Sequence, residues 1–413
     1  MGHLLYLLGY IDRKLIHRYE RDSKAIGKES FHFAWVLDSD AEERQRGVTI
    51  DVGCRNFSTA NRDVVLLDAP GHKDFVPNMI SGTAQADAAI LVLAGSIGEF
   101  ESGFHTPLSQ TKEHSFLARS LGITQLIVAI NKLDTVQWSR ERYEEIKAQI
   151  HPFLLQIGFK QDKIIYLPLS GLSGENLTTK SSSPNLSWFK GPCLIDIIDT
   201  LEPSFRDIQK PLRLCIMDSY RLQHGSIQGN CVSGKLEGGV IKNQDKVVLL
   251  PTHIKATVKQ IEKNGQHVSR AVAGDNVDIS LKDVSGDFTL VMPGHVLCCE
   301  QFPVPICTRF LVKVMVYDII YPITKGLRLV LHVGSLRSSV VIRSILHQID
   351  IHTGDILKTR PRLLTRFQSA VLDLQASDKL CLERFASYKS LGRVTLRERG
   401  MTVMAGMITE IIE

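Results

Sequence analysis

Three short segments in the first half of the chain carry residue types whose spacing could do chemistry, and each follows an apolar run. The first is Asp68-Ala69-Pro70-Gly71-His72. A carboxylate leaving a strand can hold a magnesium ion through water, and a glycine three residues on lets its backbone N–H approach a terminal phosphate unobstructed. The same residues also make an ordinary turn. The second is Asn131-Lys132-Leu133-Asp134. A carboxylate there can accept both the N1–H and the N2 amine of guanine, a donor pair that adenine lacks; the lysine stem would lie along the base and the asparagine would tie neighbouring loops together. A polar loop with a helix cap is the plainer account. The third is Ser170-Gly171-Leu172, whose backbone N–H groups could donate to guanine O6. Taken singly each is a turn, but in this order they favour one guanine-nucleotide site over three unrelated turns.

A fourth segment, Glu42-Glu43-Arg44-Gln45-Arg46-Gly47-Val48-Thr49-Ile50, is a charged stretch ahead of a strand. Thr49 could give a hydroxyl to magnesium and a backbone N–H to a γ-phosphate, which would order the loop only when that phosphate is present. Alone it reads as a solvated loop; beside the other three it reads as part of the same site.

The elements that must position these loops follow from the apolar pattern. Runs at 64–67, 88–93, 126–130 and 164–167 are short and uninterrupted, as expected of strands buried on both faces. Helical stretches are expected at 110–121, at 140–157 and ahead of Leu201, giving the strand–helix alternation of an open parallel α/β sheet. Such sheets bind ligands at the carboxyl ends of their strands. Near residues 203–211 the texture changes to short alternating runs separated by turns such as Gly225, Gly229, Gly234, Gly238-Gly239 and Asn264-Gly265, which reads as antiparallel β-barrels. A second break at Phe302-Pro303-Val304-Pro305 suggests three domains, 1–206, 207–302 and 303–413.

Composition agrees. The 413 residues allow two to four domains at roughly 100–200 residues each. With 44% hydrophobic and 23% charged residues, the chain is neither disordered nor fibrous. No apolar run approaches the ~20 residues of a membrane span, and the leading run 4–11 lacks the flanks of a signal peptide, so a cytoplasmic location is expected. Eight cysteines without a C-x-x-C pair suggest neither a disulfide framework nor a zinc site. Net charge is 49 − 44 = +5, yet residues 301–413 hold 16 basic and 9 acidic residues, a surplus of +7. That basic end suits contact with a polyanion such as RNA, or is a solvated face. Arg393, Arg397 and Arg399, alternating along one expected strand, read as a solvated face.

Asp68-Ala-Pro-Gly-His-Lys-Asp-Phe75 and Arg46-Gly-Val-Thr-Ile-Asp51 carry a resemblance across essentially the whole chain to the translational GTPases of the EF-Tu and elongation factor 1-alpha superfamily. Within it, Leu5-Tyr-Leu-Leu-Gly9, Ser170-Gly-Leu-Ser-Gly-Glu-Asn-Leu177, Cys307-Thr-Arg-Phe310, Pro322-Ile-Thr-Lys-Gly326 and Ala405-Gly-Met-Ile-Thr-Glu-Ile411 resemble the Hbs-like ribosome-rescue GTPases. The resemblance implies a G domain followed by two antiparallel β-barrels, GTP/GDP and Mg2+ as ligands, and hydrolysis of GTP to GDP and phosphate. It implies that His72 orients the attacking water, that Val48 belongs to an apolar gate beside it, and that Asp68 and Thr49 serve magnesium. Asp68, Gly71, Asn131, Lys132, Asp134, Ser170, Gly171 and Leu172 would contact nucleotide. The implied partners are a Pelota/Dom34-like protein and ribosomal RNA, with no membrane or DNA and a monomeric state outside that complex. The implied role is rescue of stalled ribosomes and no-go mRNA decay. A factor delivering aminoacyl-tRNA or a release factor is the alternative within the class.

The family's G-x-x-x-x-G-K-[ST] phosphate loop does not occur in these 413 residues. Met1-Gly-His-Leu-Leu-Tyr corresponds to the helix just after it, so the expectation is a G domain truncated before residue 1 and lacking its first, central strand, with apolar edges left unpaired. Each lost charge-assisted hydrogen bond to phosphate would cost about 1.5–3 kcal/mol. A non-catalytic module that docks on ribosome or Pelota is the reading from another class.

Overall fold

The apolar runs form strands, but they do not all join one sheet. The computed structural model describes every residue except 39, 40, 47, 107, 108, 182, 204, 205, 223–226, 351, 352 and 413, with backbone alone at 30 and 41. Gly47 and the turn glycine Gly225 therefore lie outside the described residues. The chain divides into two units, one of Met1–Arg119 and Ile123–Pro203, the other of Ser120–Gly122 and Ser204–Glu413.

The first unit runs α1 (Gly2–Leu7), α2 (Arg13–Ala25), α3 (Ala41–Arg46), β1 (Gly53–Ser58), β2 (Asp63–Asp68), α4 (Val76–Thr83), β3 (Ala88–Ala94), α5 (Glu99–Phe104), α6 (Gln110–Leu121), β4 (Gln125–Asn131), α7 (Arg140–Gln156), β5 (Ile164–Pro168) and α8 (Leu194–Thr200). Local signals start the helices: the Asp12 carboxylate accepts from the Lys14 N–H ahead of α2, and the Ser139 hydroxyl from the Arg142 N–H ahead of α7. Strands β3, β4 and β5 form a parallel sheet with Ala88 opposite Gln125 and Leu126 opposite Ile164. Among the described residues strand β2 pairs only with β1, antiparallel, with Asp68 opposite Gly53. Among the described residues β2 and β3 thus each have one unpaired edge. Burial follows pairing. In β4, flanked on both sides, Leu126 to Ile130 are at most 2% exposed, whereas residues 64–67 of β2 are half-buried and Val92 of β3 is 55% exposed. The expectation of burial on both faces holds for the strand that has two neighbours.

The second unit is antiparallel β. Strands β6 (Arg213–Leu222), β7 (Gly229–Gly238), β8 (Val240–Lys242), β9 (Lys246–Leu250), β10 (Ile254–Lys263), β11 (Gln266–Val268), β12 (Arg270–Val272), β13 (Asn276–Lys282) and β14 (Val296–Cys299) make the first barrel. It closes in the order β10-β13-β7-β6-β14-β9 through a β9–β10 ladder, with β11 appended and a short β8–β12 ladder beside it. The second barrel holds β15 (Ile306–Val316), β16 (Ile323–Thr324), β17 (Arg328–Val333), β18 (Leu336–Ile349), β19 (Ile356–Thr359), β20 (Leu363–Leu364), β21 (Ser369–Cys381), the short α9 (Lys389–Gly392), β22 (Arg393–Glu398) and β23 (Met401–Ile411). It closes as β17-β22-β23-β15-β21-β18 through a β17–β18 ladder, leaving β19 on an outer edge and a small β16–β20 pair. Alternating inward residues fill each barrel, for example Phe310, Val312, Val314 and Val316 along β15.

The two barrels share a packed seam in which Val248, Leu250, Val296 and Cys298 meet Val304, Cys381, Tyr388 and Leu391. Arg213 crosses it to Glu383 at 2.9 Å with both side chains under 10% exposed, and the guanidinium also donates to the Leu212, Phe302 and Pro303 carbonyls. The additional bonds satisfy a charge that would be costly to bury unpaired. All eight cysteines are free.

Candidate nucleotide site

The loop geometry at the ends of β4 and β5 begins with Asn131. Because Ile130 is in register with Pro168, the loops leaving the two strands emerge side by side. The Asn131 carboxamide oxygen accepts from the Lys132 N–H and from the Gly171 N–H, both at 2.8 Å, joining one loop to the other. Lys132 has φ +62, a left-handed turn into the short 3-10 segment Leu133–Val136, and Leu133 is fully buried beneath it. A Cβ at Gly95 would meet the Leu133 side chain at 2.9 Å and the Asn131 carbonyl at 3.0 Å, so the glycine permits this close approach. Ser170 is buried with its hydroxyl accepting from the Ser173 N–H, and Leu172 is 53% exposed at the loop's tip. Within this braced frame the Asp134 Oδ1 is buried without a hydrogen-bond partner. Lys132 Nζ donates to Glu99 at 2.7 Å. An unpartnered carboxylate oxygen held by satisfied neighbours is a receptor for paired donors, the chemistry that guanine offers.

The loops after α3 and β2 are built differently. Gly71 is exposed, and a Cβ there would meet only His114 Cε1, at 3.9 Å, so space alone does not demand a glycine. His72 is half-buried; its Nδ1 accepts from the Asp74 N–H at 3.3 Å, capping the segment Lys73–Phe75, and lies 3.5 Å from the Asp74 carboxylate. That leaves Nε2 for any further partner. Val48 is half-buried. The Thr49 hydroxyl donates to Asp38 at 3.2 Å, and Glu43 accepts from the Ile50 and Asp51 N–H groups at 2.9 and 3.2 Å. Burial pushes the Asp38 carboxyl up to about 6; the Thr49 bond opposes this, and the charges of Glu43 and Asp68 reinforce it. Burial likewise raises Asp68, opposed by the Met1 ammonium and reinforced by Glu43. Asp38, Glu43 and Asp68 thus form one acidic group.

Helix α1 connects the two sides. His3 Nδ1 lies 2.8 Å from the Gly171 carbonyl with its ring stacked on Phe33 at 3.8 Å, while the Met1 ammonium acts on both His3 and Asp68. The structure therefore brings Asn131, Lys132, Asp134, Ser170 and Gly171 into one frame and gathers Thr49 and Asp68 about Asp38 and Glu43. Sequence reading missed Asp38, Glu43, His3 and His114. Glu43 sits in a charged run that reads as solvated yet is 4% exposed. His114 had a signal, because it shares helical spacing with the buried Leu117 and Leu121. Burial pushes its imidazole down, and its Nε2 has no partner.

Residues 1–204 match the elongation factor Tu GTP binding domain, and residues 309–409 match the GTP-eEF1A C-terminal domain-like family. The chain is 37% identical over 411 residues to elongation factor 1-alpha of Thermofilum pendens, covering 100% of this chain and 93% of that one. It belongs to the EF-Tu/elongation factor 1-alpha superfamily of translational GTPases. It is also 44% identical over 412 residues to Protein HBS1 of Drosophila melanogaster, spanning 100% of this chain and 61% of that protein. The GTPase-like domain of S. cerevisiae Ski7, solved bound to GTP, shares the fold with a TM-score of 0.80 at 19% identity, over 99% of this chain and 93% of that one.

Membership of this GTPase superfamily implies GTP or GDP and, usually, Mg2+. The base side fits: Asp134 presents an orphaned carboxylate oxygen in a frame locked by Asn131. The acidic side does not. Among the described residues no group of three or more His, Cys, Asp or Glu is arranged to hold a metal ion, and the Thr49 hydroxyl is engaged by Asp38. The carboxylates of Asp38, Glu43 and Asp68 would oppose an anionic triphosphate, although Arg44 acts against the charge of Asp38 and the Met1 ammonium against that of Asp68. Among the described residues no helix is long and apolar enough to cross a membrane.

Proposed function

We propose that this chain is a guanine-nucleotide-binding translation factor that works with a Pelota/Dom34-like partner in the rescue of stalled ribosomes. The observation that carries the nucleotide reading is the buried, unpartnered Asp134 Oδ1 beside loops locked by Asn131. The likeness to Protein HBS1 over the whole chain supports the rescue role. Asp134 then selects guanine, Lys132 flanks the base, and Gly171 and Leu172 border it. On the acidic side Asp68, Thr49 and Gly71 are the phosphate-side residues, and His72, with Nδ1 tied to the Asp74 N–H, offers Nε2 to a water beside Val48. Turnover of GTP to GDP and phosphate belongs to the same reading, and it requires the charges of Asp38, Glu43 and Asp68 to be offset. A three-domain division at 206/207 and 302/303 is part of this reading.

Fluorescent GDP, GTP and ATP analogues titrated into the purified chain test it. The expected result is guanine over adenine. Asp134→Asn should move preference toward xanthine nucleotides by about 10–100-fold, the equivalent of one charge-assisted hydrogen bond. Equal binding of all three analogues, or unchanged preference in the variant, removes the assignment. The acidic side favours a second reading: a non-catalytic module that docks without nucleotide. Capture of a purified Pelota-type protein, unchanged by added GTP, would support that second reading. Association with aminoacyl-tRNA and not with Pelota would exclude the rescue role.

A further inference from the structure

Arg142, at the third position of α7, is 8% exposed, and the candidate site as described gives it no task. All five of its guanidinium N–H groups are spent. Nε donates to the Gly95 carbonyl at 3.0 Å, one terminal nitrogen to Glu101 at 2.7 Å and Glu145 at 2.9 Å, and the other to the Ser96 carbonyl at 3.2 Å and again to Glu101 at 3.1 Å. Glu101 also accepts from the Gly98 N–H at 2.8 Å, and the Arg142 bonds hold its carboxyl down at about 2. The loop leaving β3 is thus gathered onto one side chain. That loop meets the base segment at two points. The Gly95 N–H donates to the Asn131 carbonyl at 2.6 Å. The Thr135 hydroxyl spends its one proton on the Lys132 carbonyl at 2.7 Å, so at 3.2 Å it is the Ser96 hydroxyl that donates to Thr135.

The segment braced in this way is strained. Lys132, Gln137 and Trp138 lie in the left-handed region at φ +62, +55 and +58, and none is a glycine. Such backbone persists only where its surroundings over-determine it. Apolar packing does not do so on every side, because Thr135, Val136 and Gln137 border a cavity of about 330 Å³ that Ile97, 82% exposed, also lines. Asn131 fixes the entry of the segment, and Trp188 Nε1, donating to the Trp138 carbonyl at 2.9 Å, fixes its exit. Between them stands Asp134, next to the Thr135–Ser96 contact that Arg142 supports. We propose that Arg142 is a positioning residue for base recognition: by holding the Gly95 and Ser96 carbonyls it sets, through Thr135, where the Asp134 carboxylate stands and whether it meets both donors of guanine. The inference rests on the guanine reading of Asp134. Lysine could not take the place of Arg142, since three donors on one nitrogen cannot span two carbonyls and two carboxylates.

The test titrates fluorescent derivatives of GDP and inosine diphosphate into the whole chain. Hypoxanthine lacks the 2-amine of guanine and offers Asp134 one donor instead of two, so the ratio of the two affinities reads the alignment of the carboxylate, whereas a general loss of stability weakens both alike. The parent should favour GDP by about 10-fold or more, the equivalent of one charge-assisted hydrogen bond. Arg142→Lys should shrink that preference by about fivefold or more, mainly through lost GDP affinity, and Arg142→Met at least as far; if the methionine variant does not fold, the lysine variant decides. Amide hydrogen exchange at Gln137 and Trp138, whose N–H groups donate to the Asp134 and Leu133 carbonyls, should quicken in Arg142→Lys while Leu126 to Ile130 of β4 stay protected. The control is Arg119→Lys, which disturbs an arginine that donates to the Gly158 carbonyl at 2.8 Å in the same unit and should leave the ratio within about twofold of the parent. An equal shrinkage in Arg119→Lys would overturn the proposal in favour of general softening of the unit. A ratio unchanged in the Arg142 variants, while Asp134→Asn still moves preference toward xanthine, would overturn the positioning role and leave the guanine reading standing. Equal binding of GDP and ATP derivatives by the parent would remove the guanine reading and this inference with it.

Discussion

The base side and the acidic side of the candidate site are both made of loops leaving strands or helices, yet they differ in how their polar groups are satisfied. On the base side Asn131 and the backbone of Lys132 and Gly171 satisfy one another, and one carboxylate oxygen, on Asp134, is left without a partner. On the acidic side three carboxylates share one neighbourhood and the Thr49 hydroxyl is already committed to Asp38. Recognition of a neutral base can be preorganised by a protein's own amides. A site for a polyanion built around carboxylates needs cations from elsewhere, because desolvated like charges raise one another's proton affinity.

The largest test of that contrast is Asn131→Ala. It removes the shared acceptor of two N–H groups, leaving the part-buried Gly171 donor unpaired at a cost of about 1–3 kcal/mol. Denaturant unfolding should show that loss, and guanine-nucleotide binding should fall by tenfold or more. A variant as stable as the parent would mean that the two loops are held by something other than Asn131.

The acidic side should respond in the opposite direction. The folded Asp38 carboxyl, at about 6, lies above its ordinary 3.8, so between those values the folded chain binds more protons than the unfolded one and stability falls as pH rises. Above pH 6 the cost is constant, at most about 3 kcal/mol at 1.36 kcal/mol per pH unit. Asp38→Asn keeps an acceptor for Thr49 and should raise stability by about 1–2 kcal/mol at pH 7.5, with the gain vanishing near pH 4. An equal gain at both pH values would show that packing rather than charge is responsible.

The smallest effect concerns the Lys132–Glu99 pair, both members of which are about half exposed. Glu99→Gln should change stability by only about 0.2–1 kcal/mol and less in high salt, since exposed ion pairs are weak. If it instead altered guanine-nucleotide affinity strongly, Glu99 would have to be counted with the base side.

The candidate loops were legible in the sequence because their chemistry is local. Asp68 to His72, Asn131 to Asp134 and Ser170 to Leu172 each lie within five consecutive residues after an apolar run. The ends of β4 and β5 deliver the last two to one edge of the parallel sheet, whereas the first leaves β2, which pairs with β1 outside that sheet. Alternation and turn glycines likewise showed the barrels. Asp38, just ahead of α3, and Glu43, within it, were not legible, since what they meet, Thr49 for one and the Ile50 and Asp51 N–H groups for the other, is not given by any spacing along the chain. The charge surplus of residues 301–413 was visible, but the solvated arginine face expected there fails at Arg397, which is 4% exposed with its guanidinium turned inward to the Gly400 carbonyl.

The sequence by itself thus determined the family, the strand–helix alternation of the first unit and the candidate loops, because these depend on periodicity and contiguous motifs. Tertiary structure alone decided which carboxylates repel one another, that Arg397 turns inward and that Arg142 reaches the Gly95 and Ser96 carbonyls. Burial and electrostatic coupling depend on distance in space, and in a barrel, neighbours are set by strand register between segments far apart along the chain.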